Sequence, residues 1–343
     1  MRHRFGTALV RLIVATVGLV LLLPGGAQAV PITDYPFVTP VFGMAAVPGD
    51  GLAVADAGAG VVKLQGGVGS LFAELPGVSD VAPVGRRKMH AITGAPDRRL
   101  YWLAGGHVRE RADLGAFEAA VNPDGGAIDS NPFGVARLPG FRVLVSDAGG
   151  NVVLLVNRHG DIDWVATLPV ELVPTGNAKR LAGCPAGPPD VCGLPARIPA
   201  QPVATSVAVG PDGAWYVSEL KGFPGPRHHS RIWRVEPGSR HVRCGSSPKC
   251  RVVANGFTSI VDLSFDRHGH AYVVEIDENS FLVFEGGFGT PAGGTVNRCD
   301  AWTWDCHAIA RNLPIPTAAA VQRGNVFVAI NSLVPGEATV IRP

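Results

Sequence analysis

One outline of thirteen residues recurs along this chain: an apolar run, a polar turn, a second apolar run and a closing acid. It stands as Val207–Glu219, Leu263–Glu275 and Val135–Asp147, and more loosely as Met44–Asp56. Short runs rich in Val, Tyr and Phe on either side of a Pro-Asp-Gly type of turn describe a β-hairpin. Two further windows carry the outline with defects. In Ile92–Ala104 the turn is Pro96-Asp97, and Ala104 stands where the others place an acid. In Ala319–Asn331 the turn begins at Arg323, and either Ile330 or Asn331 holds the final position.

Two more short apolar runs follow the better windows. Val152–Val156 and Ile162–Leu168 come after Asp147, Arg231–Val235 and Arg251–Ala254 after Glu219, and Val61–Leu64 and Leu71–Leu75 after Asp56. Each unit is therefore four strands, and six such units predict an all-β, six-bladed β-propeller with antiparallel blades. A lone unit would expose both sheet faces, so it must stack on neighbours, and a ring completes the stack. Window starts lie about 43 to 72 residues apart, the extra length falling in Gly-, Pro- and Cys-rich stretches. The sixth unit is one strand short. A spare apolar strand at Ile32–Val38 is expected to pair beside Ala338–Ile341, close the last blade and remove a sheet edge. Helical periodicity beyond residue 30 is confined to Ala112–Val121, which fits no blade.

The first 29 residues read as a signal peptide: basic Arg2, His3, Arg4 and Arg11, an apolar run Leu12–Leu23, and a small-x-small site at Ala27–Ala29. The alternative is an uncleaved anchor, but the apolar run falls short of the roughly 20 residues a span needs. Residues 30–343 then form one propeller domain, secreted or held in the cell envelope, with no further membrane span. A net charge of +2, from 30 basic and 28 acidic residues without a basic stripe, gives no footprint for nucleic acid. The six cysteines fall in three close pairs, Cys184/Cys192, Cys244/Cys250 and Cys299/Cys306. In an exported chain these are expected to be three local disulfides that rigidify surface hairpins. Zinc fits them poorly, because its usual Cys pairs are closer together.

Asn131–Ala136 followed by Leu144–Val153 resembles an NHL-type repeat. Together with Pro202–Pro224, Val253–Leu263 and Leu313–Thr317, it is similar to the ScyD/ScyE family of exported six-bladed propellers. The likeness covers the chain well from about Asn131 onward and the first two blades weakly, Ala104 being the largest departure. It implies fold and export. It implies no reaction, since the family carries no well-defined catalytic motif, and fold likeness alone does not transfer a function.

In a four-stranded blade the end of the second strand shares a face with the start of the first. Asp56, Asp147, Glu219 and Glu275 end second strands, while Asn131, Thr205, Ser206, Asp262 and Thr317 lie near the starts of first strands. All are expected around one mouth of the ring. Converging carboxylates there can hold a hard cation such as Ca²⁺ or raise one another's pKa values. The competing reading makes each Asp a turn cap. Asp262 interrupts the apolar run Ser259–Phe265 and is expected to face the channel. Weaker signals are His228-His229, His268 and His270 on a strand turn, the glycine-rich Gly58–Lys63, and Trp302 and Trp304 between the last two cysteines. Neither a Gly-x-Ser-x-Gly nor a His-Glu-x-x-His motif is present. Two functions follow. The first is a monomeric exported protein that binds a small molecule or an extracytoplasmic partner at an acid-rich mouth. The alternative is a Ca²⁺-dependent, lactonase-like hydrolase using the same acids.

Overall fold

The computed structural model describes residues 30–49 and 51–343; the expected signal segment 1–29 lies outside them. Six four-stranded antiparallel blades stand in a ring. Their innermost strands are Val41–Ala46, Val78–Gly85, Pro132–Leu138, Ala204–Val209, Ile260–Phe265 and Ala318–Gln322. The fold is the expected six-bladed β-propeller. Its core is not one mass but six apolar layers, one between each pair of neighbouring blades. Alternating Val, Leu and aromatic residues on both faces of each blade feed the layers on either side, which is why the strands read as apolar on both faces.

The inner strands converge on the axis, and the sequence answers with small residues. A Cβ on Gly134 would come within 2.8 Å of Ser206 Cα in the next blade, and one on Gly43 within 2.8 Å of Asp80 Cα. In blades 1 to 5 the innermost hairpin carries a bulge after its first residue, at Val41/Gly43, Val78/Asp80, Pro132/Gly134, Ala204/Ser206 and Ile260/Asp262. A bulge bends the strand and re-aims the side chain beside it. Hydroxyls at this level stitch blades together. Ser79 Oγ donates to Pro132 O at 2.9 Å, Thr205 Oγ1 to Ile260 O at 2.8 Å, and Thr317 Oγ1 to Val41 O at 2.7 Å.

The blade 2 window and the closing strand differ from expectation, and the open register of blade 6 is resolved. Blade 2 is built one strand earlier than its sequence window. Its innermost hairpin is Val78–Gly85 with Lys88–Thr93, turning at Arg86-Arg87, so Ile92–Ala104 spans the second and third strands. Thr93, not Ala104, therefore holds the place of the acid. In blade 6 the register gives that place to Ile330, which pairs with Thr339. Ring closure is real but uses Val30–Pro31, paired with Arg342 and Ile341, while Ile32 N donates to Val340 O at 2.8 Å. Residues 33–40 instead run over the blade 6–1 junction, where Phe37 is buried.

The three disulfides pair locally as expected. Cys244–Cys250, however, is no surface staple. Both cysteines are buried in the layer between blades 3 and 4, where Val242–Arg243 adds a fifth, parallel strand to blade 3. The helical pattern at Ala112–Val121 resolves into a helix, Leu114–Val121, capped by Asp113 Oδ1 accepting from Ala116 N at 2.8 Å.

The long connection from blade 3 to blade 4 folds back over the ring. It holds a hairpin, Glu171–Pro174 with Arg197–Ala200, and short helices Gly176–Leu181 and Pro189–Cys192 joined by Cys184–Cys192. Ala178, Leu181 and Val191 pack with Val261, Ile276, Phe281 and Ile330, so the insertion covers the blade 5–6 side of the mouth. Asn177 Nδ2 fastens it to Gly225 O at 2.6 Å and Asn279 O at 3.0 Å. Among the described residues no helix is long and apolar enough to cross a membrane.

Candidate functional site

The acids that end the second strands do meet one face of the ring, but they point into protein. Asp56, Asp147 and Glu219 are each 0% exposed. Asp56 accepts from Val38 N at 2.7 Å, Thr39 N at 2.9 Å and Gly58 N at 3.1 Å. Asp147 accepts from Ser130 Oγ at 2.6 Å, Asn131 N at 2.7 Å, Gly149 N at 3.1 Å and Gly150 N at 3.0 Å. In both blades the acid ties the segment entering the first strand to the turn leaving the second, and its oxygens are occupied by N–H and O–H donors. Burial still pushes the Asp147 carboxyl above its usual range, against the pull of these donors.

Glu219 is held differently. Its Oε1 lies 3.0 Å from both Lys221 Nζ and Arg231 Nε, and its Oε2 accepts from Trp233 Nε1 at 3.1 Å. Lys221 Nζ also lies 3.0 Å from Glu171 Oε2 on the insertion, which Arg231 contacts as well. Two acids and two bases thus make a balanced cluster that pins the insertion to blade 4. Burial, the largest influence on Glu219, raises its pKa against the opposing pull of Lys221. Asn131, Thr205 and Thr317 serve the blade junctions. Asn131 Oδ1 accepts from Ala95 N at 3.0 Å, and the two threonines make the bonds given above.

At the axis, Asp262 has an unanticipated counterpart. Asp80 holds the same bulge position three blades away, directly across the ring. Each carboxylate caps a channel-facing N–H of the next blade: Asp80 Oδ2 accepts from Val135 N at 2.8 Å and Asp262 Oδ2 from Ala319 N at 2.8 Å. Asp262 Oδ1 also accepts from Leu263 N at 2.8 Å and Ser206 Oγ at 3.1 Å. Both acids keep part of their surface on the bore yet are enclosed by protein elsewhere. Burial raises Asp262 to about 6, and burial plus the charge of Asp262 raises Asp80 to about 8. Near the mouth, the rings of Phe42 and Phe133, from blades 1 and 3, meet at 5.3 Å between centroids.

Because these carboxyls hold protons more tightly folded than unfolded, they favour folding least at high pH. Stability falls as pH climbs from about 4, the unfolded value, toward the folded value of about 8 for Asp80. Asp80→Asn keeps an acceptor for Val135 N–H and cannot ionise. Its melting temperature relative to wild type is expected to rise between about pH 4 and about pH 8 and to level off above that, as read by calorimetry. A pH-independent difference would mean the pair does not share the bore as described.

Glu275, the fourth acid, is 6% exposed and edges a cleft of about 450 Å³ between blades 4 and 5. One wall is the outer strand of blade 4, from Val253 to Phe257. The other is blade 5, through Thr295, Asn297, Cys306 and Arg311. Glu278, His228, Thr303 and Trp304 complete the lining. Glu275 accepts from Thr258 N and, at 2.7 Å, from Asn297 Nδ2. Burial first, and the nearby Glu278 charge, raise it to about 7 against the pull of these bonds and Arg311. Glu278 Oε1 accepts from Thr295 Oγ1 at 2.5 Å. This is a polar recess with two acids, an amide, a hydroxyl and a guanidinium, beside an indole. Trp304 packs on Tyr216 and Phe265, with centroids 5.5 and 6.3 Å apart, whereas Trp302 is 66% exposed.

The remaining sequence signals are local structure. His268 N and His270 N both donate to Asp266 Oδ1, at 2.7 and 3.0 Å, forming the strand turn. Gly58 lies in the turn that Asp56 caps, and Gly60–Gln65 is a strand. His228 lines the cleft, and its N–H donates to Thr258 Oγ1 at 3.1 Å. Among the described residues no three His, Cys, Asp or Glu side chains are placed to hold a metal ion. The four mouth acids are tied to N–H groups or to cations. Sequence reasoning misses Asp80 because it places the blade 2 window one strand too late. The shared pattern of one Asp inside an apolar inner strand, Ser79-Asp80-Val81 beside Val261-Asp262-Leu263, is the signal that could have found it.

No family model and no curated protein matches the chain. Solved structures do. A protein of unknown function from Bacteroides thetaiotaomicron is similar over 92% of this chain and 72% of its own, with TM-score 0.58 and 11% identity. The calcium-binding protein regucalcin from Agrobacterium tumefaciens is similar over 92% and 93%, with TM-score 0.57 and 14% identity. The PQQ-bound aldose sugar dehydrogenase from Streptomyces coelicolor is similar over 92% and 98%, with TM-score 0.53 and 13% identity. At 11–14% identity, what the likeness shows for this chain is the six-bladed β-propeller fold.

Proposed function

We propose that this chain is an exported binding protein of the ScyD/ScyE type whose ligand is a small polar molecule held in the cleft between blades 4 and 5. The observation that carries the reading is Glu275. Three of the four repeat-end acids are sealed inside the fold, while this one edges an open polar cleft with a pKa near 7. Convergent polar groups and a perturbed carboxyl in a recess are the ordinary marks of a ligand site. Acid, amide, hydroxyl and guanidinium groups beside an indole suit a polyhydroxylated or amine-bearing ligand. Export fits the three disulfides.

A second reading keeps the same cleft and makes it catalytic. A carboxyl near pKa 7 beside a second acid is suited to general acid–base work on a hydrolysable ligand. The calcium-dependent version of that enzyme fits less well, since the acids are not gathered around a common point.

A thermal-shift screen of sugars, amino sugars and small carboxylates against the mature protein tests the site. A ligand that raises the melting temperature should lose its effect in Asn297→Ala and Arg311→Ala and keep it in Asp262→Asn. Loss in Asp262→Asn with retention in the two cleft variants would move the site to the bore. Turnover of such a ligand, abolished in Glu275→Gln, would favour the catalytic reading.

A further inference from the structure

On the face of the ring opposite the mouth, each blade's first strand turns into its second. Over blades 1 to 3 this face is basic. Blade 2 turns at Arg86-Arg87-Lys88, all exposed, and exposed Arg137 and Arg142 flank the turn of blade 3. The bases run on from blade to blade. Lys63 Nζ of blade 1 donates to Arg86 O at 2.8 Å, and a Cβ on Gly49, in the blade 1 turn, would come within 2.5 Å of Arg86 Nε. Arg111 of blade 2 reaches blade 3, donating Nη2 to Asn157 O at 2.8 Å.

Among the described residues this charge is unbalanced. The one acid they place on these turns, Asp161, accepts from Asn157 Nδ2 at 2.9 Å. On the same face of blades 4 and 5 the bases are matched: Arg234 meets Asp212 and Glu236, and His270 meets Asp266. Lys63, Arg86, Arg87, Lys88, Arg137 and Arg142 make no such ion pair among the described residues. The excess is felt inside the protein. His90, buried beneath the patch, lies 3.1 Å from Arg111 Nη1, and burial first, then the charges of Arg111 and Arg137, push it down to about 3.

Apolar side chains stand among the bases. Phe141, on the blade 3 turn, is 39% exposed, with the Arg111 guanidinium 4.4 Å from its ring centre and Trp102 beside it at 4.6 Å. Val68, in a blade 1 turn, is 73% exposed, and Val30 is 65% exposed. Val30 pairs with Arg342 at this end of blade 6, so the chain enters the ring from this face. While it is attached, the apolar run Leu12–Leu23 therefore holds this face, and not the mouth, toward a bilayer. We infer that the face over blades 1 to 3 docks on the surface of an anionic lipid bilayer, its bases on the headgroups and Phe141, Val68 and Val30 at the acyl boundary. Each Lys or Arg near such a surface strengthens binding about fivefold, and apolar groups buried at the boundary add to it. A soluble anionic polymer would engage the bases and leave the valines in water. So docked, the protein turns its mouth away from the membrane, and the cleft between blades 4 and 5 stays free, since none of these residues lines it.

The test is co-sedimentation of the mature chain, from Val30 onward, with vesicles of phosphatidylcholine alone or mixed with phosphatidylglycerol. Binding is expected only where phosphatidylglycerol is present, and should weaken at least about tenfold as NaCl rises from about 0.05 to about 0.5 M. The triple variant Arg86→Gln/Arg87→Gln/Lys88→Gln, confined to an exposed turn, should keep the wild-type melting temperature and bind about 100-fold more weakly. Val68→Ser should lose a few-fold, and Arg311→Ala, in the cleft, should sediment as wild type does. Equal sedimentation of the triple variant and wild type would overturn the inference. So would capture by a soluble anionic polymer such as heparin with none by the vesicles, which would make this face a polymer site.

Discussion

Deleting residues 30–38 is expected to lower the melting temperature by about 10 °C or more. Three losses combine. Val30–Pro31 and Ile32 N pair with the final strand, and their removal bares the edge of Thr339–Arg342. Phe37 is 2% exposed in the layer between blades 6 and 1 and packs edge-on against Tyr35 at 5.1 Å. Loss of such a ring costs about 3–5 kcal/mol. Asp56, wholly buried, loses its donor Val38 N and the segment that holds Thr39 N in place. A large domain shifts by at least about 2 °C per kcal/mol, so the sum is easily measured by scanning calorimetry. A melting temperature within a degree or two of wild type would show that the ring does not depend on this closure.

Lys221→Met should destabilise the protein by about 3–4 kcal/mol in urea unfolding. Lys221 is fully buried and, with Arg231, balances Glu171 and Glu219. The methionine preserves the alkyl bulk, so the loss reports charge and not packing. One uncompensated negative charge is left in a site where Glu219 has no contact with water. Adding Glu171→Gln removes that excess and should recover part of the loss, because paired residues in one network do not act additively. A single-variant cost below about 1 kcal/mol would mean the cluster is hydrated and does not anchor the insertion.

Local information makes the fold legible. Alternating apolar runs and Pro-Asp-Gly turns mark hairpins within a few residues, and cysteines six to eight apart can hardly fail to find each other. Errors arise where a local cue points the wrong way. Pro83 sits inside an inner strand and Arg86-Arg87 makes its turn, while Pro96-Asp97 decorates the next hairpin out, so the sequence pattern places blade 2 one strand late. The candidate site is much less legible. Asp56 and Asp147 recur because each fastens the segment entering its blade, and a structural anchor repeats as faithfully as a ligand does; Glu219 instead meets Lys221 and Arg231. What distinguishes Glu275 is non-local: the gap between the outer strands of two blades, and the neighbours Asn297 and Arg311 at its edge. Asp80 and Asp262 likewise share the bore only because the ring closes.

The cleft between blades 4 and 5 is the central claim, and the pH dependence of binding tests it most directly. With a ligand from the thermal-shift screen, affinity measured by calorimetry should change with an inflection near pH 7, where Glu275 titrates. The inflection should vanish in Glu275→Gln and persist in Asp80→Asn. An inflection that survives Glu275→Gln, or disappears with Asp80→Asn, would contradict the assignment.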